Sequence, residues 1–114
     1  MNTRAKGREL ENYVAAVLGE IDPKARPTVG SGGVREIADI LNKYFFVECK
    51  KRNTKSVTIK EDVWIKLCGE IPVGSLKIPL YILANENNVR WAVLELKDLI
   101  RILGEIYGKT KKGR

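Results

Sequence analysis

The residues best suited to chemistry are Glu48 and Lys50, which end an apolar run of strand character as a Glu-x-Lys pattern. Side chains two residues apart in a strand project from one face, so this carboxylate and this ammonium group should lie side by side. Such a pair at the end of a strand can bind a metal ion and activate a water molecule. The simpler alternative is an exposed strand end with a surface ion pair, because a strand buries ions only when they are paired or metal-bound.

A second carboxylate, Asp39, is brought to the same place by a predicted hairpin. A two-residue Asn-Lys loop joins two predicted strands, 38–41 and 44–50. That loop places Asp39 opposite Phe46 and diagonal to Glu48, at roughly 7–8 Å on the same face. Two carboxylates at that separation can share one divalent ion. A three-residue loop would reverse the parity and put Asp39 on the other face.

The elements that must position these residues follow from hydrophobic periodicity. It predicts helices at 7–21, 58–71 and 96–107, and strands at 26–29, 38–41, 44–50, 78–84 and 89–94. Glu9 and Glu11 lie at the two edges of the apolar stripe of the first helix, and Thr58 with Glu61 forms a capping-box pattern at the start of the second. The order α-β-β-β-α-β-β-α predicts an α/β fold, with a mixed five-stranded sheet flanked by helices.

Composition narrows the classes of function. The 114 residues predict a single domain over 1–108 and a basic tail at 109–114, and the net charge of +7 suits a polyanionic partner. The chain has no histidine, which excludes Ser-His-Asp and Cys-His catalysis and His-ligated zinc. Its two cysteines, Cys49 and Cys68, are predicted to be free thiols in apolar surroundings. Without an apolar run of transmembrane length or a secretory signal, the chain is expected to be cytoplasmic, and a viral protein would act in the host cytoplasm.

Together these pieces resemble the PD-(D/E)xK nuclease superfamily, and within it the chain is most similar to archaeal-type and phage Holliday junction resolvases. The resemblance covers the core to about residue 96, and this chain has a longer piece at 32–38, which includes Glu36, before the Asp. The matching pieces are a Lys-Gly-x-x-x-Glu pattern at 6–11, Gly30-Ser31, Ala38-Asp39 and Glu48-Cys49-Lys50.

The resemblance implies a restriction-endonuclease-like fold and a catalytic set of Glu11, Asp39, Glu48 and Lys50. It implies Mg²⁺, with Mn²⁺ able to substitute, held by Asp39, Glu48, the backbone carbonyl of Cys49 and Glu11, the last directly or through water. Glu9 remains an alternative to Glu11. Lys50 would act as the base or stabilise developing negative charge, and the number of metal ions stays open.

The resemblance also implies a homodimer that acts on DNA, preferably on four-way junctions, in recombination and repair, with no membrane partner. Trp64 and Trp91 are candidates for the dimer face. The alternatives are another nuclease of the superfamily, acting on ends, flaps or a recognition sequence, and a non-catalytic nucleic-acid-binding module. The predicted DNA-binding residues are Lys6, Arg8, Ser31, Lys51, Arg52 and Lys55.

Overall fold

A computed structural model describes residues 3–28 and 38–108 of the chain, and within these ranges it contains three helices and five strands. The helices are α1 (Thr3–Leu18), α2 (Glu61–Glu70) and α3 (Leu96–Tyr107). The strands are β1 (Arg26–Pro27), β2 (Ile40–Leu41), β3 (Phe45–Lys51), β4 (Ile78–Ala84) and β5 (Arg90–Val93). The predicted α/β class and the mixed five-stranded sheet are confirmed, whereas the restriction-endonuclease-like assignment stays a prediction.

The strands lie in the order β1-β2-β3-β4-β5, and β3 and β4 form the parallel pair in an otherwise antiparallel sheet. Parallel neighbours require a crossover connection, which here contains α2. β4 is apolar along most of its length, as suits an inner strand that is buried on both faces.

The core has one half on each face of the sheet. On the α1 face, α1 packs its buried side chains, such as Leu10 and Val14, against Val47 of β3 and Ile82 of β4. The opposite half forms the α2 face, whose buried members are Phe46, Leu67, Tyr81 and Leu83. Successive residues of β3 therefore alternate between two covered faces, which fixes the direction of every side chain near Glu48.

Helix α1 ends at Leu18, earlier than the predicted stop before Pro23. Tighter bonds close its last turn, since the N–H of Ile21 donates to the Leu18 carbonyl at 3.0 Å. The buried carboxylate of Asp22 then accepts hydrogen bonds from the N–H groups of Lys24, at 3.1 Å, and Lys43, at 2.9 Å. Asp22 therefore ties the end of α1 to the β2–β3 turn.

The predicted hairpin register is wrong. Ile40 pairs with Val47, so the connection is longer than two residues. Asn42 is the reason, because its Oδ1 accepts hydrogen bonds from the N–H groups of Tyr44, at 2.9 Å, and Phe45, at 2.8 Å. An Asx-type turn of this kind replaces the predicted tight turn.

The predicted capping box of α2 is also wrong. The helix begins at Glu61 with Lys60 as N-cap, and no side chain caps it. Val57 and Ile59, two residues apart, both pack against the α2-face core, which keeps this segment extended and delays the helix. Glu61 and Asp62 in the first turn complement the helix dipole instead.

Candidate active site

Asp39 lies beside β3 because the chain has the arrangement of a β-bulge where β2 begins. The N–H of Asp39 donates to the carbonyl of Val47 at 2.8 Å, and Val47 is also the ladder partner of Ile40. Asp39 and Ile40 therefore both lie opposite Val47, as in a β-bulge. Oδ2 of Asp39 accepts a hydrogen bond from the N–H of Cys49, also at 2.8 Å. The carboxylate thus takes the position of a backbone acceptor at the edge of β3, between the two faces, rather than the predicted position diagonal to Glu48.

Glu48 and Lys50 share the α2 face of the sheet. Phe46, two residues before Glu48, is buried in the α2-face core, and the alternation of β3 puts all three side chains on that side. Both charged side chains are half-buried. The positive charge of Lys50 opposes the upward shift of the pKa of Glu48 and of Asp39, so one ammonium group acts on two carboxylates.

The carbonyl of Cys49 faces the same edge as the Asp39 carboxylate. The N–H of Arg52 donates to Ala84 of β4 at 2.9 Å, whereas the N–H of Cys49 donates away from β4, to Asp39. In a strand the N–H and C=O of one residue point to the same side and alternate along the chain. A backbone oxygen and a carboxylate are therefore directed to one edge of β3.

On α1, Glu11 and not Glu9 is coupled to this edge. Partial burial raises the pKa of Glu11, the negative charge of Asp39 raises it further, and Arg8 opposes both effects. Glu9 is exposed. Glu11, whose pKa Asp39 raises, is also the glutamate that the Lys-Gly-x-x-x-Glu spacing selects.

The pKa of Asp39 is raised as well. Burial is the largest cause, and the hydrogen bond from Cys49 and the charge of Lys50 work against it. Glu70, on α2, adds a further upward contribution. Glu70 of α2 thus raises the pKa of Asp39, and Asp39 raises the pKa of Glu11 on α1, so this carboxylate is coupled to helices on both sides of the sheet.

The pKa of Glu48 is strongly raised. Burial raises its pKa to about 7, and Asp39 contributes in the same direction. Lys50 opposes the shift, and the smaller effects of Glu70 and Lys66, both on α2, partly cancel. A carboxylate that is difficult to ionise beside two other acidic groups is the electrostatic signature of a site that a cation would stabilise.

Within residues 3–28 and 38–108, no group of three or more His, Cys, Asp or Glu side chains is placed to hold a metal ion. The thiols are not alternative ligands at this edge. Cys49 is buried and Cys68 half-buried, and both are free, as predicted. Burial raises the pKa of both thiols, which keeps them neutral.

The predicted DNA-binding residues differ in how far they are available. Arg8, Arg52 and Lys55 are exposed. Lys51 is engaged, because its Nζ donates to the carbonyl of Asn85 at 2.9 Å and to Oδ1 of Asn88. The remaining predicted residues lie outside what can be described: Ser31 falls in 29–37, and for Lys6 only the backbone is described. Glu36, a possible contributor to the catalytic site, also falls in 29–37.

Three residues near the site were missed by the sequence interpretation. Glu70 and Lys66 sit one helical turn apart on α2, a spacing visible in the sequence as an i, i+4 pair of opposite charge. Asn85 is buried, and its Nδ2 donates to the carbonyl of Lys55 at 3.0 Å, while its Oδ1 accepts from Asn87 and Val89. It joins the β4–β5 turn to the segment after β3, and no local sequence pattern predicts this long-range contact.

The chain matches no protein-family model, no curated protein and no solved structure. Among the described helices, none is long and apolar enough to cross a membrane.

Proposed function

We propose that this protein is a Mg²⁺-dependent DNA endonuclease with a restriction-endonuclease-like fold, which resolves four-way junctions by cutting two strands. The observation that carries the proposal is the hydrogen bond from Cys49 to Asp39. It fixes a carboxylate at the edge of the one strand that bears Glu48 and Lys50. Two acids and an amine gathered around residues 48–50 of β3 are the groups that metal-assisted phosphodiester hydrolysis requires.

Carboxylates and a backbone carbonyl are the kinds of ligand that a divalent ion such as Mg²⁺ prefers, although no three acidic side chains of the described residues are already placed to hold one. Burial and mutual repulsion raise the pKa of Glu11, Asp39 and Glu48, so a bound cation would stabilise their ionised forms. Asp39, Glu48 and the carbonyl of Cys49 would hold Mg²⁺ or Mn²⁺, and Glu11 would reach it directly or through water. When bound, the ion polarises the scissile phosphate and acidifies a water molecule.

The protein's own groups supply the rest of the chemistry. Lys50, on the same face as Glu48, would orient the attacking water and, as the neutral amine, take up its proton; as the ammonium group it would instead stabilise the charge that develops on the phosphoryl oxygens. The Cys49 N–H holds one oxygen of Asp39 and leaves the other directed away from that bond. Asp39 is thus positioned by the backbone, which limits the rearrangement needed before reaction.

DNA would be held through its phosphates. The net charge of +7 and the exposed Arg52 and Lys55, which follow β3 directly, suit contacts that carry affinity without reading sequence. A homodimer would present two such sites to the two-fold symmetric junction. Selection of a branched shape would then come from the separation of the two sites.

The proposal is tested with a synthetic four-way junction beside linear duplex and flap DNA of matched sequence, in Mg²⁺ and in EDTA. We expect Mg²⁺-dependent paired cuts in the junction, and a loss of at least ~100-fold in rate for Asp39→Asn and Glu48→Gln. Both variants should still bind DNA. Glu20→Gln, an exposed carboxylate in the turn after α1, is the matched control and should cut normally.

Other outcomes are informative. Equal cutting of linear duplex and junction would favour a different nuclease of the same superfamily. Binding of DNA with no cutting by the unmodified chain in Mg²⁺ or Mn²⁺ would favour a binding module. Turnover that survives in Asp39→Asn or Glu48→Gln would remove that residue from the site.

A further inference from the structure

Helix α3 carries an apolar stripe that residues 3–28 and 38–108 leave exposed. Leu96, Ile100 and Tyr107 are 72%, 57% and 61% exposed, and no residue of the helix is buried. The half-buried residues Asp98 and Ile102 mark the side that faces the body of the molecule. The stripe therefore points away from the sheet.

The spacing of the stripe is that of a helix-pairing seam. Leu96, Ile100, Leu103 and Tyr107 follow each other at intervals of four, three and four residues, as in a coiled-coil interface. In an antiparallel pair of two such helices, Leu96 would meet Tyr107 of the second copy, and Ile100 would meet Leu103. The patch is thus complementary to itself, which a two-fold interface requires.

The exposed area reaches the range of a specific dimer at its lower end. The apolar side chains of α3, counting Leu99 and Ile106 beside the seam, expose on the order of 600 Å², at the upper end of the largest patch on a typical monomer. Two copies would bury at most roughly 1,200 Å² together, the lower end of the range for specific interfaces. A single chain in water would leave this apolar surface solvated.

Gly104 gives a second, independent indication. Glycine in the middle of a helix costs about 1 kcal/mol relative to alanine, yet a Cβ atom at Gly104 would meet nothing within 4 Å in this chain. The monomer therefore has no packing reason for glycine at this position. In the antiparallel pair Gly104 would lie opposite Leu99 of the second copy, where a missing side chain permits close approach.

The polar face of α3 argues against a lipid surface as the occupant. It carries Lys97, Arg101 and Glu105, and both of its cations lie beside acids, Lys97 at 3.5 Å from Glu95 and Arg101 at 3.4 Å from the half-buried Asp98. Helices that lie on membranes carry a predominantly basic polar face. A mixed-sign face beside an apolar seam is the pattern of helices that pair with protein.

We propose that α3 pairs with α3 of a second copy of this chain, antiparallel about a two-fold axis, through the seam Leu96, Ile100, Leu103 and Tyr107. This places the dimer face on α3 and not on the tryptophans considered from the sequence. Trp64 is half-buried against the α2-face core, whereas Trp91, on the edge strand β5, is exposed but stands outside the seam. The inference rests on apolar surface alone, so self-association is expected whether or not the protein cuts DNA.

The test is sedimentation velocity of the full chain across roughly 1–100 μM, where mass action would populate the dimer. Ile100→Glu places a charge in the seam, and Arg101→Glu places the same residue at the adjacent position on the polar face. We expect the unmodified chain and Arg101→Glu to be dimeric, and Ile100→Glu to dissociate at least ~10-fold more readily. Circular dichroism should show that both variants stay folded, because both positions are solvent-exposed.

A monomer at the highest concentration would overturn the proposal, and so would a dimer that Ile100→Glu leaves intact. If Ile100→Glu fails to fold, Gly104→Glu, at the edge of the same seam, replaces it with the same expectation. Co-sedimentation of a monomeric chain with vesicles of anionic lipid would assign the seam to a membrane surface, again contradicting the dimer. If the unmodified chain is dimeric but does not cut junctions, the result would contradict the proposed nuclease function and support the α3 dimer.

Discussion

At the scale of single residues, Glu48 is a carboxyl group whose charged form the fold strongly disfavours. Its pKa of about 7 means that ionisation is disfavoured in the folded chain, mainly by burial and then by Asp39. A carboxyl group with a raised pKa in the folded state lowers stability as pH rises from its ordinary pKa, near 4.5, to the folded value, near 7. Above pH 7 the penalty is complete, and below the ordinary value it is absent.

We therefore expect Glu48→Gln to stabilise the protein at pH 8 and to have little effect at pH 4.5. The gain should be about 1–2 kcal/mol, because partial solvent exposure weakens the effect of so large a shift. Urea denaturation at the two pH values measures it, with Glu20→Gln as the control. An equal gain at both pH values would show that the ionisation of Glu48 is not the cause.

Asp39 and Glu11 give a related expectation on metal addition. If a cation binds these carboxylates, Mg²⁺ should raise the melting temperature at pH 8 more than at pH 5, since ligands must be deprotonated. The rise should disappear in Asp39→Asn and shrink in Glu11→Gln, whereas Glu9→Gln should behave as the unmodified chain. A rise that Glu9→Gln removes and Glu11→Gln keeps would exchange the roles of the two helix carboxylates.

At the scale of elements, the site depends on how the chain after β3 is attached. Asn85 links the β4–β5 turn to this segment, and the N–H of Glu86 donates to the Thr54 carbonyl at 2.9 Å. Lys51 adds its amine to the same turn. These contacts hold the exposed Arg52 and Lys55 next to the end of β3.

Asn85→Ala should therefore cost about 1–3 kcal/mol, because it removes a buried amide and leaves its backbone partners unsatisfied. Asn87→Ala, an exposed change in the same turn, should stay within about 0.5 kcal/mol. Chemical denaturation measures both. Equal effects of the two substitutions would mean that the turn does not depend on the Asn85 side chain.

The elements also show what the sequence could and could not predict. Strand β4 and helix α3 begin and end where periodicity places them, because long apolar patterns leave little choice of boundary. The register of β2 against β3 could not be predicted, since it depends on the Asn42 side chain competing for backbone N–H groups. Because the register differs from the predicted one, the position of Asp39 also differs from its predicted position. The effect of Glu70 on the pKa of Asp39 and Glu48 could not be predicted either, since it depends on how α2 packs against the sheet.

At the scale of the whole molecule, the net charge of +7 should make nucleic-acid binding strongly dependent on salt. Arg52→Ala with Lys55→Ala should lower the slope of log affinity against log salt by roughly one for each lost phosphate contact. Lys24→Ala with Lys43→Ala, exposed residues at the other end of β3, should leave the slope nearly unchanged. Fluorescence anisotropy over a salt series gives both slopes, and an unchanged slope in the first variant would mean that these residues face solvent in the complex.

The hydrogen bond between Asp39 and Cys49 has a further consequence, for solubility. β2 pairs with only the first part of β3. Beyond it, the Asp39 carboxylate accepts the hydrogen bond of the Cys49 N–H, which would otherwise be available to pair with a strand of another chain. Asp39→Asn keeps an oxygen acceptor there, whereas Asp39→Ala does not. We expect Asp39→Ala to aggregate on mild heating, measured by light scattering, and Asp39→Asn to remain dispersed. The Asp39 side chain would then both prevent edge-to-edge association of β3 and belong to the candidate site.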